Sequence, residues 1–171
     1  NGAAYVSVPS SADLLFGAED FCIEFDCAVV SLPGTGYFGL LSKYVSETGG
    51  RSYSVDLYGD GSTTRFTLLL STSGNSAEVV MHSLSGISVG RMYHIEVSRA
   101  GSTVYFFIDG ALQGTADIGT ASLYANSKPL VVGGRSNYAA FVNVLVDELR
   151  IRKAAGNTSA YVGGLPTKPY S

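Results

Sequence analysis

The sequence has 171 residues, of which 46% are hydrophobic and 15% charged, with a formal net charge of −3. This length fits one domain, since single domains commonly have roughly 100–200 residues. Lys and Arg are outnumbered by Asp and Glu, which argues against a nucleic-acid partner because no basic excess is left to neutralise a phosphate backbone. The apolar runs, such as VYFFI from Val104, are far shorter than the roughly 20 residues needed to span a bilayer, which argues against membrane insertion.

Short runs of β-branched and aromatic residues recur along the chain and are separated by clusters of Gly, Ser, Asn and Asp. The predicted strands are, in chain order, AYVSV near Ala4, FCIEFDCAVV from Phe21, YFGLLSKY from Tyr37, YSVDLY from Tyr53, RFTLLLS from Arg65, AEVVMH from Ala77, MYHIEVSRA from Met92, VYFFI from Val104, ALQG from Ala111, PLVVGG from Pro129 and FVNVLVDELRIR from Phe141. Regularly spaced strands without a long helical stretch are typical of an all-β sandwich or barrel.

The turn sequences agree with this pattern. The pair Asp109-Gly110, between VYFFI and ALQG, predicts a two-residue type I′ hairpin, because both central residues of that turn adopt positive φ. The stretches at residues 59–62 and 73–75 predict two more tight turns, which would join three strands into a meander. In YSVDLY the odd-numbered residues are expected to face a core, and the even-numbered ones, including Asp56, to face solvent.

The two cysteines, Cys22 and Cys27, lie in one predicted strand. Five residues of extended chain separate them by roughly 16 Å and place them on opposite faces of the strand. A disulfide requires Cα atoms within about 7 Å, so we expect free thiols. A sequence with two cysteines, two histidines and no C-x-x-C motif also lacks the usual ligands of a zinc site.

Residues 1–152 hold all the predicted strands and are expected to form one sandwich domain. The remaining residues, 153–171, have the sequence KAAGNTSAYVGGLPTKPYS, with small residues, two prolines and no strand alternation. This composition predicts an extended segment that packs on the sandwich or leads to another module.

Three stretches carry a family resemblance: AAYVSVPSSADLLFGAEDFCIEFDC at the start, RMYHIEVSRAGSTVYFFIDGALQGT in the middle and PLVVGGRSNYAAFVNVLVDELRIRKA near the end. Their order resembles the laminin-G-like, concanavalin-A-like jelly-roll family, in particular its bacteriophage and prophage tail-protein branch. The resemblance implies a jelly-roll β-sandwich of two antiparallel sheets. Members of that family usually carry Trp where this chain has Asp26. We expect Asp26 to face solvent, since a charge is almost never buried without a partner.

The resemblance also implies a function. It points to a non-catalytic surface-recognition module that binds carbohydrate in a phage or prophage particle protein, on the virion surface or otherwise outside the cell. The partner would be a glycan or a cell-surface polysaccharide. Sugar binding needs flat aromatic faces with polar groups around them, preferably on loops. The candidate ligand-binding residues are Tyr44, Tyr58, Tyr138, Arg135 and Asn137.

Two alternatives remain open at this stage. The domain could be a purely structural virion component, a tail or capsid-decorating module that contacts other virion subunits. It could also be a glycoside hydrolase, since Glu24 and Asp26 share one strand face. The hydrolases it resembles use Glu-x-Asp-x-(x)-Glu, and this chain has Ala28 and Val29 at the place of the second Glu.

The sequence also suggests a metal ligand and a histidine role. Sandwich domains of this kind often hold a calcium ion near an edge, and Asp147, in VDELR, is the candidate side-chain ligand for Ca²⁺. The alternative is that Asp147 pairs with Arg150 or Arg152, or bonds to a neighbouring loop. His94, in MYHIEV, is expected to be a packed or hydrogen-bonded structural residue rather than a base for either cysteine.

Overall fold

Eleven strands and one short 3-10 helix make up the described part of the chain, which in this computed structural model comprises residues 4–135 and 140–161. The helix spans Ala12–Leu14. The strands are β1 (Val6–Val8), β2 (Phe21–Ser31), β3 (Gly36–Tyr44), β4 (Arg51–Gly59), β5 (Thr64–Leu70), β6 (Val79–His82), β7 (Met92–Ala100), β8 (Thr103–Ile108), β9 (Ala111–Asp117), β10 (Leu130–Val132) and β11 (Asn143–Arg152). Within these residues, no helix has the length and hydropathy of a membrane span.

The strands form two antiparallel sheets. The six-stranded sheet has the order β1-β10-β3-β4-β5-β6, and the five-stranded sheet has the order β11-β2-β7-β8-β9. β4, β5 and β6 are consecutive neighbours, as the meander prediction required. Asp109 and Gly110, between β8 and β9, have φ values of 51° and 75°, which confirms the predicted positive-φ hairpin. The arrangement confirms the all-β sandwich.

The core lies between the two sheets and is filled by alternate residues of their strands. Phe25, Val97 and Phe106 enter it from the five-stranded sheet, and Val55 and Leu68 from the six-stranded sheet. All five are at most 1% exposed. Because side chains alternate between the two faces of a strand, the intervening residues lie on the outer faces. These outer faces hold the polar chemistry of the domain.

Strand bounds differ from the sequence expectation where a tertiary partner extends the pairing. β9 was expected to be the short run ALQG, but it pairs with β8 as far as Asp117 opposite Thr103.

The expectation that Asp56 faces solvent is wrong. Asp56 does point away from the core, as the alternation predicts, yet it is 0% exposed because other side chains cover it.

Both cysteines are free and buried, as expected. Cys27 packs in the core, whereas Cys22 lies on the outer face of β2, with its thiol 3.7 Å from Glu96 Oε1. Burial raises the pKa of each thiol to about 12.

The residues after β11 cross the outer face of the five-stranded sheet, and we call residues 153–161 the C-terminal strap. Gly156 N donates a hydrogen bond of 2.8 Å to Ser98 Oγ in β7. Tyr161 N donates one of 3.0 Å to Gly110 O in the hairpin, and the Tyr161 ring packs against Phe107 of β8. The strap therefore runs over β7 and β8. The rest of the predicted extended segment, residues 162–171, lies outside the described residues.

Candidate functional site

The outer face of the six-stranded sheet carries three ring side chains side by side, which we call the aromatic row: Tyr37, Tyr58 and His82. Tyr37 of β3 is the register partner of Tyr58 of β4, and their ring centroids are 4.6 Å apart. The centroids of Tyr58 and His82 are 5.1 Å apart. His82 Nδ1 shares a hydrogen bond of 2.7 Å with Thr67 Oγ1, which fixes the imidazole. All three rings are half-buried, so the row presents a partly exposed aromatic surface.

A buried ion pair lies beside the aromatic row. Arg135 Nη2 donates a hydrogen bond to Asp56 Oδ2, and the Ser54 hydroxyl donates one of 2.5 Å to Asp56 Oδ1. The Arg135 guanidinium also lies 5.3 Å from the ring centroid of Tyr37 and 5.4 Å from that of Tyr44. Burial raises the pKa of Asp56, and the Arg135 charge and the Ser54 hydrogen bond oppose that rise. The pair holds Arg135 between two aromatic rings.

A glycine in β3 allows Arg135 to reach this place. Gly39 is the register partner of Asp56, and a Cβ at position 39 would lie 2.3 Å from the carbonyl oxygen of Gly134. Real Cβ atoms essentially never approach that closely. The absence of a side chain at Gly39 lets the loop after β10 lie directly on β3, which places the next residue, Arg135, over Asp56.

The structure brings three of the five predicted ligand-binding residues to this face. Tyr58 belongs to the aromatic row, and Arg135 contacts both Tyr37 and Tyr44. Tyr44 itself is only 5% exposed, so its ring supports the guanidinium more than it offers a contact surface. The other two predicted residues, Asn137 and Tyr138, lie outside the described residues.

Sequence reasoning missed Tyr37 and His82, although one signal for Tyr37 was present. Tyr37 follows Gly36 and Tyr58 precedes Gly59, and these two glycines are register partners, at the start of β3 and the end of β4. Pairing the two strands through those glycines would have placed both tyrosines on one face. His82 carries no such signal, because its position depends on the pairing of β5 with β6.

The outer face of the five-stranded sheet holds carboxylates instead of exposed rings. Glu24 of β2 is the register partner of Glu96 of β7, so the second carboxylate that β2 lacks comes from a neighbouring strand. Arg150 Nε donates a hydrogen bond of 2.5 Å to Glu24 Oε1. Glu96 accepts hydrogen bonds of 2.7 Å from Asn157 N and from Asn157 Nδ2, and one of 2.8 Å from the Tyr161 hydroxyl. The strap thus engages both oxygens of Glu96.

The prediction that Asp26 faces solvent is wrong. Asp26 is 8% exposed, and its Oδ1 lies 2.7 Å from Nδ1 of His94, its register partner in β7. His94 supplies the partner that a buried carboxylate requires. His94 is therefore hydrogen-bonded within the sheet, as was expected of it.

These contacts limit what the carboxylates can do chemically. A retaining glycosidase needs one carboxyl held protonated as the acid and another ionised as the nucleophile. Burial raises the pKa of Glu96, but the hydrogen bonds from Asn157 and Tyr161 outweigh burial, so the net pKa is lowered. Glu24 faces a guanidinium. Glu96 is therefore stabilised as an anion, which is unfavourable for a general acid.

Among the described residues, one group of three side chains has ligand atoms close enough to hold a metal: those of Glu24, His94 and Glu96, all within 4.8 Å of one another. Two of these side chains already bind Arg150 and the strap. Asp147 does not belong to this group. It is exposed, and its Oδ1 accepts a hydrogen bond of 2.9 Å from Glu148 N at a bulge in β11. Its role as a calcium ligand stays a prediction, which a calcium titration of the wild type and Asp147→Asn would test.

The domain resembles several solved structures at low sequence identity. The binding domain of Paraclostridial Mosquitocidal Protein 1 superposes with a TM-score of 0.71 at 17% identity, over 92% of this chain and 39% of that one. A heptameric SAP-like pentraxin from Limulus polyphemus gives 0.58 at 13%, over 90% and 77%. Domain 4 of a GH43 extracellular arabinanase from Geobacillus stearothermophilus, in complex with arabinotriose, gives 0.59 at 12%, over 91% and 78%. These similarities show a shared fold, and the chain spans well under half the length of the mosquitocidal binding domain.

The family of the chain is assigned from a match to its sequence. No curated protein sequence is significantly similar to the chain. A laminin-G-type family model, described as the concanavalin A-like lectin/glucanases superfamily, matches residues 1–159. Together with the two antiparallel sheets, this match shows that the chain belongs to the concanavalin A-like lectin/glucanase superfamily.

Proposed function

We propose that this domain is a non-catalytic carbohydrate-binding module whose site is the outer face of the six-stranded sheet. The observation that carries the proposal is the aromatic row beside the buried Asp56–Arg135 pair. Adjacent rings of the row are inclined to each other by 36° and 33°, so their exposed parts form a stepped aromatic surface against which the C–H groups of a sugar can pack. Sugar sites combine such apolar surfaces with a few fixed polar groups, and Thr67 and His82 lie at one end of the row.

The opposite face supports a non-catalytic role. Glu24, Asp26 and Glu96 are each bound to a neighbouring side chain or to the strap, and each is at most 8% exposed. A substrate could reach Glu96 only after the strap moved, because Asn157 and Tyr161 bind both of its carboxylate oxygens. The arabinanase domain in complex with arabinotriose shows that this type of sandwich can hold an oligosaccharide.

For the biological setting we propose a phage or prophage particle protein, with the domain on the virion surface or otherwise outside the cell. This proposal rests on the order of the sequence segments that resemble tail proteins. Copies repeated on a particle would strengthen weak single-site binding through effective concentration. Weak binding by the monomer is therefore compatible with adhesion.

A second candidate function is a structural virion component that contacts other subunits. One observation favours it: apolar side chains are exposed on two edge strands, with Val6 of β1 61% exposed and Leu145 of β11 63% exposed. An apolar groove lies between these two strands, lined by Tyr5, Val132 and Val144 among others. Contiguous exposed apolar surface is a common mark of protein–protein contacts.

The experiment that tests the proposal is a glycan array probed with the monomer and with a tetramer assembled on streptavidin. We expect binding by the tetramer to fall about tenfold or more in Tyr58→Ala and in Tyr37→Ala, since loss of one stacking ring removes on the order of 1 kcal/mol per site. Tyr105→Ala is the matched control, because Tyr105 is a half-buried tyrosine that stacks on Phe107 in the other sheet. Absence of binding in both formats would refute the proposal and favour the structural role.

A further inference from the structure

Arg65 differs from every other arginine of the chain. Each of the others forms a hydrogen bond or an ion pair with a described residue; these are Arg51, Arg91, Arg99, Arg135, Arg150 and Arg152. Arg65 forms neither with the residues that the structure describes. It is also half-buried rather than fully exposed. A guanidinium that forms no hydrogen bond or ion pair with a described residue keeps its planar set of donors available for an anion.

The place of Arg65 connects it to the candidate site. Arg65 of β5 is the register partner of Tyr58 of β4, so the two side chains are neighbours on the outer face of the six-stranded sheet. Its charge also acts on His82: burial lowers the pKa of His82, and Arg65 lowers it further. The guanidinium therefore lies alongside the aromatic row.

Two carboxylates of β4 and of the turn after it, Asp56 and Asp60, form no ion pair with Arg65. Asp56 is bound by Arg135 and Ser54. Asp60, in the turn between β4 and β5, accepts hydrogen bonds of 2.8 Å and 2.7 Å from Ser62 N and Thr63 N. Neither carboxylate is within 4.0 Å of the Arg65 nitrogens, the limit for an ion pair. Hydrogen bonds from Thr63 and Ser62, and to a smaller extent the Arg65 charge, lower the pKa of Asp60, so Asp60 acts on Arg65 at a distance without forming an ion pair with it.

We propose that the outer face of the six-stranded sheet selects carboxylated glycans, with Arg65 receiving the sugar carboxylate while the sugar ring stacks on Tyr58. This inference rests on the proposed carbohydrate-binding function and adds the substrate class. A guanidinium presents a planar set of donors that matches a carboxylate in a bidentate manner. A neutral sugar has no carboxylate to pair with Arg65, so its binding free energy would contain only the stacking contribution.

The test compares ligands that differ only in the carboxylate. The tetrameric protein is titrated with 3′-sialyllactose and its carboxyl-reduced form, and with trigalacturonate and its carboxyl-reduced form, so that the sialic acid and uronic acid sources are separated. A heparin-derived hexasaccharide, which also carries sulfate, is a further arm. We expect at least one carboxylated ligand to bind about tenfold or more tightly than its neutral counterpart. This preference should weaken as salt rises.

The variants assign the effect to one residue. Arg65→Gln should remove the preference for the carboxylated ligand, and Arg65→Lys should restore part of it because the charge is kept. Arg91→Gln is the matched control: it removes the same charge from an exposed arginine that pairs with Asp109 on the other sheet. Thermal unfolding of each variant shows that it is folded before binding is compared.

The outcomes separate this inference from the proposed function. Equal binding of neutral and carboxylated ligands, or an Arg65→Gln variant with unchanged preference, overturns the inference while the carbohydrate-binding function stands. Binding of the heparin fragment alone also overturns it, because the anion would then be a sulfate. If the protein binds none of these ligands and no glycan of the wider array, both the inference and the proposed carbohydrate-binding function are overturned.

Discussion

The buried Asp56–Arg135 pair gives the sharpest prediction about the stability of the domain. Asp56 is 0% exposed and Arg135 is 8% exposed. Removing one partner leaves the other charge buried and unpaired, which typically costs 3–5 kcal/mol. We therefore expect Asp56→Asn and Arg135→Met each to lower the free energy of unfolding by about 3–5 kcal/mol. For a domain of this size that corresponds to a decrease in Tm of roughly 6–20 °C.

The double variant tests whether the cost arises from the unpaired charge. Asp56→Asn combined with Arg135→Met leaves no isolated charge, so its cost should be smaller than the sum of the two single costs by about 2 kcal/mol or more. Arg135→Met also loses the cation–π contacts with Tyr37 and Tyr44, worth about 0.5–1 kcal/mol each, and this part is not recovered.

Urea denaturation near neutral pH provides the measurement, provided that the m-value stays constant among the variants. Arg91→Met is the control, because the Arg91 side chain is 59% exposed and its pair with Asp109 should contribute no more than about 1 kcal/mol. Additive costs in the double variant would refute the reasoning. Single-variant costs as small as that of Arg91→Met would refute it as well.

Three further predictions follow from other contacts. Gly39→Ala should weaken glycan binding and lower Tm, because its Cβ would lie 2.3 Å from Gly134 O and displace the loop that positions Arg135. A glycan array measures the binding and a thermal scan measures Tm. Unchanged binding would contradict the role of that loop. Arg99→Lys should cost about 2–4 kcal/mol in urea denaturation, because Arg99 is 1% exposed and donates to four backbone carbonyls that an ammonium cannot reach together. Burial lowers the pKa of Lys43 to about 8, so between about pH 8 and its unfolded value of about 10.4 the unfolded chain binds more protons at this residue and stability rises with pH. The Lys43→Met variant should not show that rise in stability. If the difference in unfolding free energy between the variant and the wild type stays constant from about pH 8 to about 10.4, the pKa of Lys43 is not lowered.

The fold was accessible from the sequence because its signals are local. Alternation with a period of two identified the inward-facing residues Val55 and Leu57, and the pair Asp109-Gly110 identified a hairpin. These patterns depend on neighbours within a few residues. They indicate which face of a strand a residue occupies, but not what covers that face.

The site was accessible only in part, because its contacts join distant segments. Asp26 and Asp56 were both expected to face solvent, and both are buried by partners far along the chain: His94 is 68 residues from Asp26, and Arg135 is 79 residues from Asp56. The residues adjacent to either aspartate in the sequence do not indicate which distant residue it will pair with. In the same way, Glu96 joins Glu24 only through the pairing of β7 with β2.

The two cysteines make the opening of the domain measurable without any added label. Cys27 lies in the core, whereas Cys22 lies under the strap, where a Cβ at Gly156 would be 2.7 Å from its sulfur. The thiolate is the form of cysteine that attacks a thiol reagent, so the reagent should modify Cys22 when the strap lifts and Cys27 only when the sheets separate. The two modification rates would then report local and global opening of the same molecule.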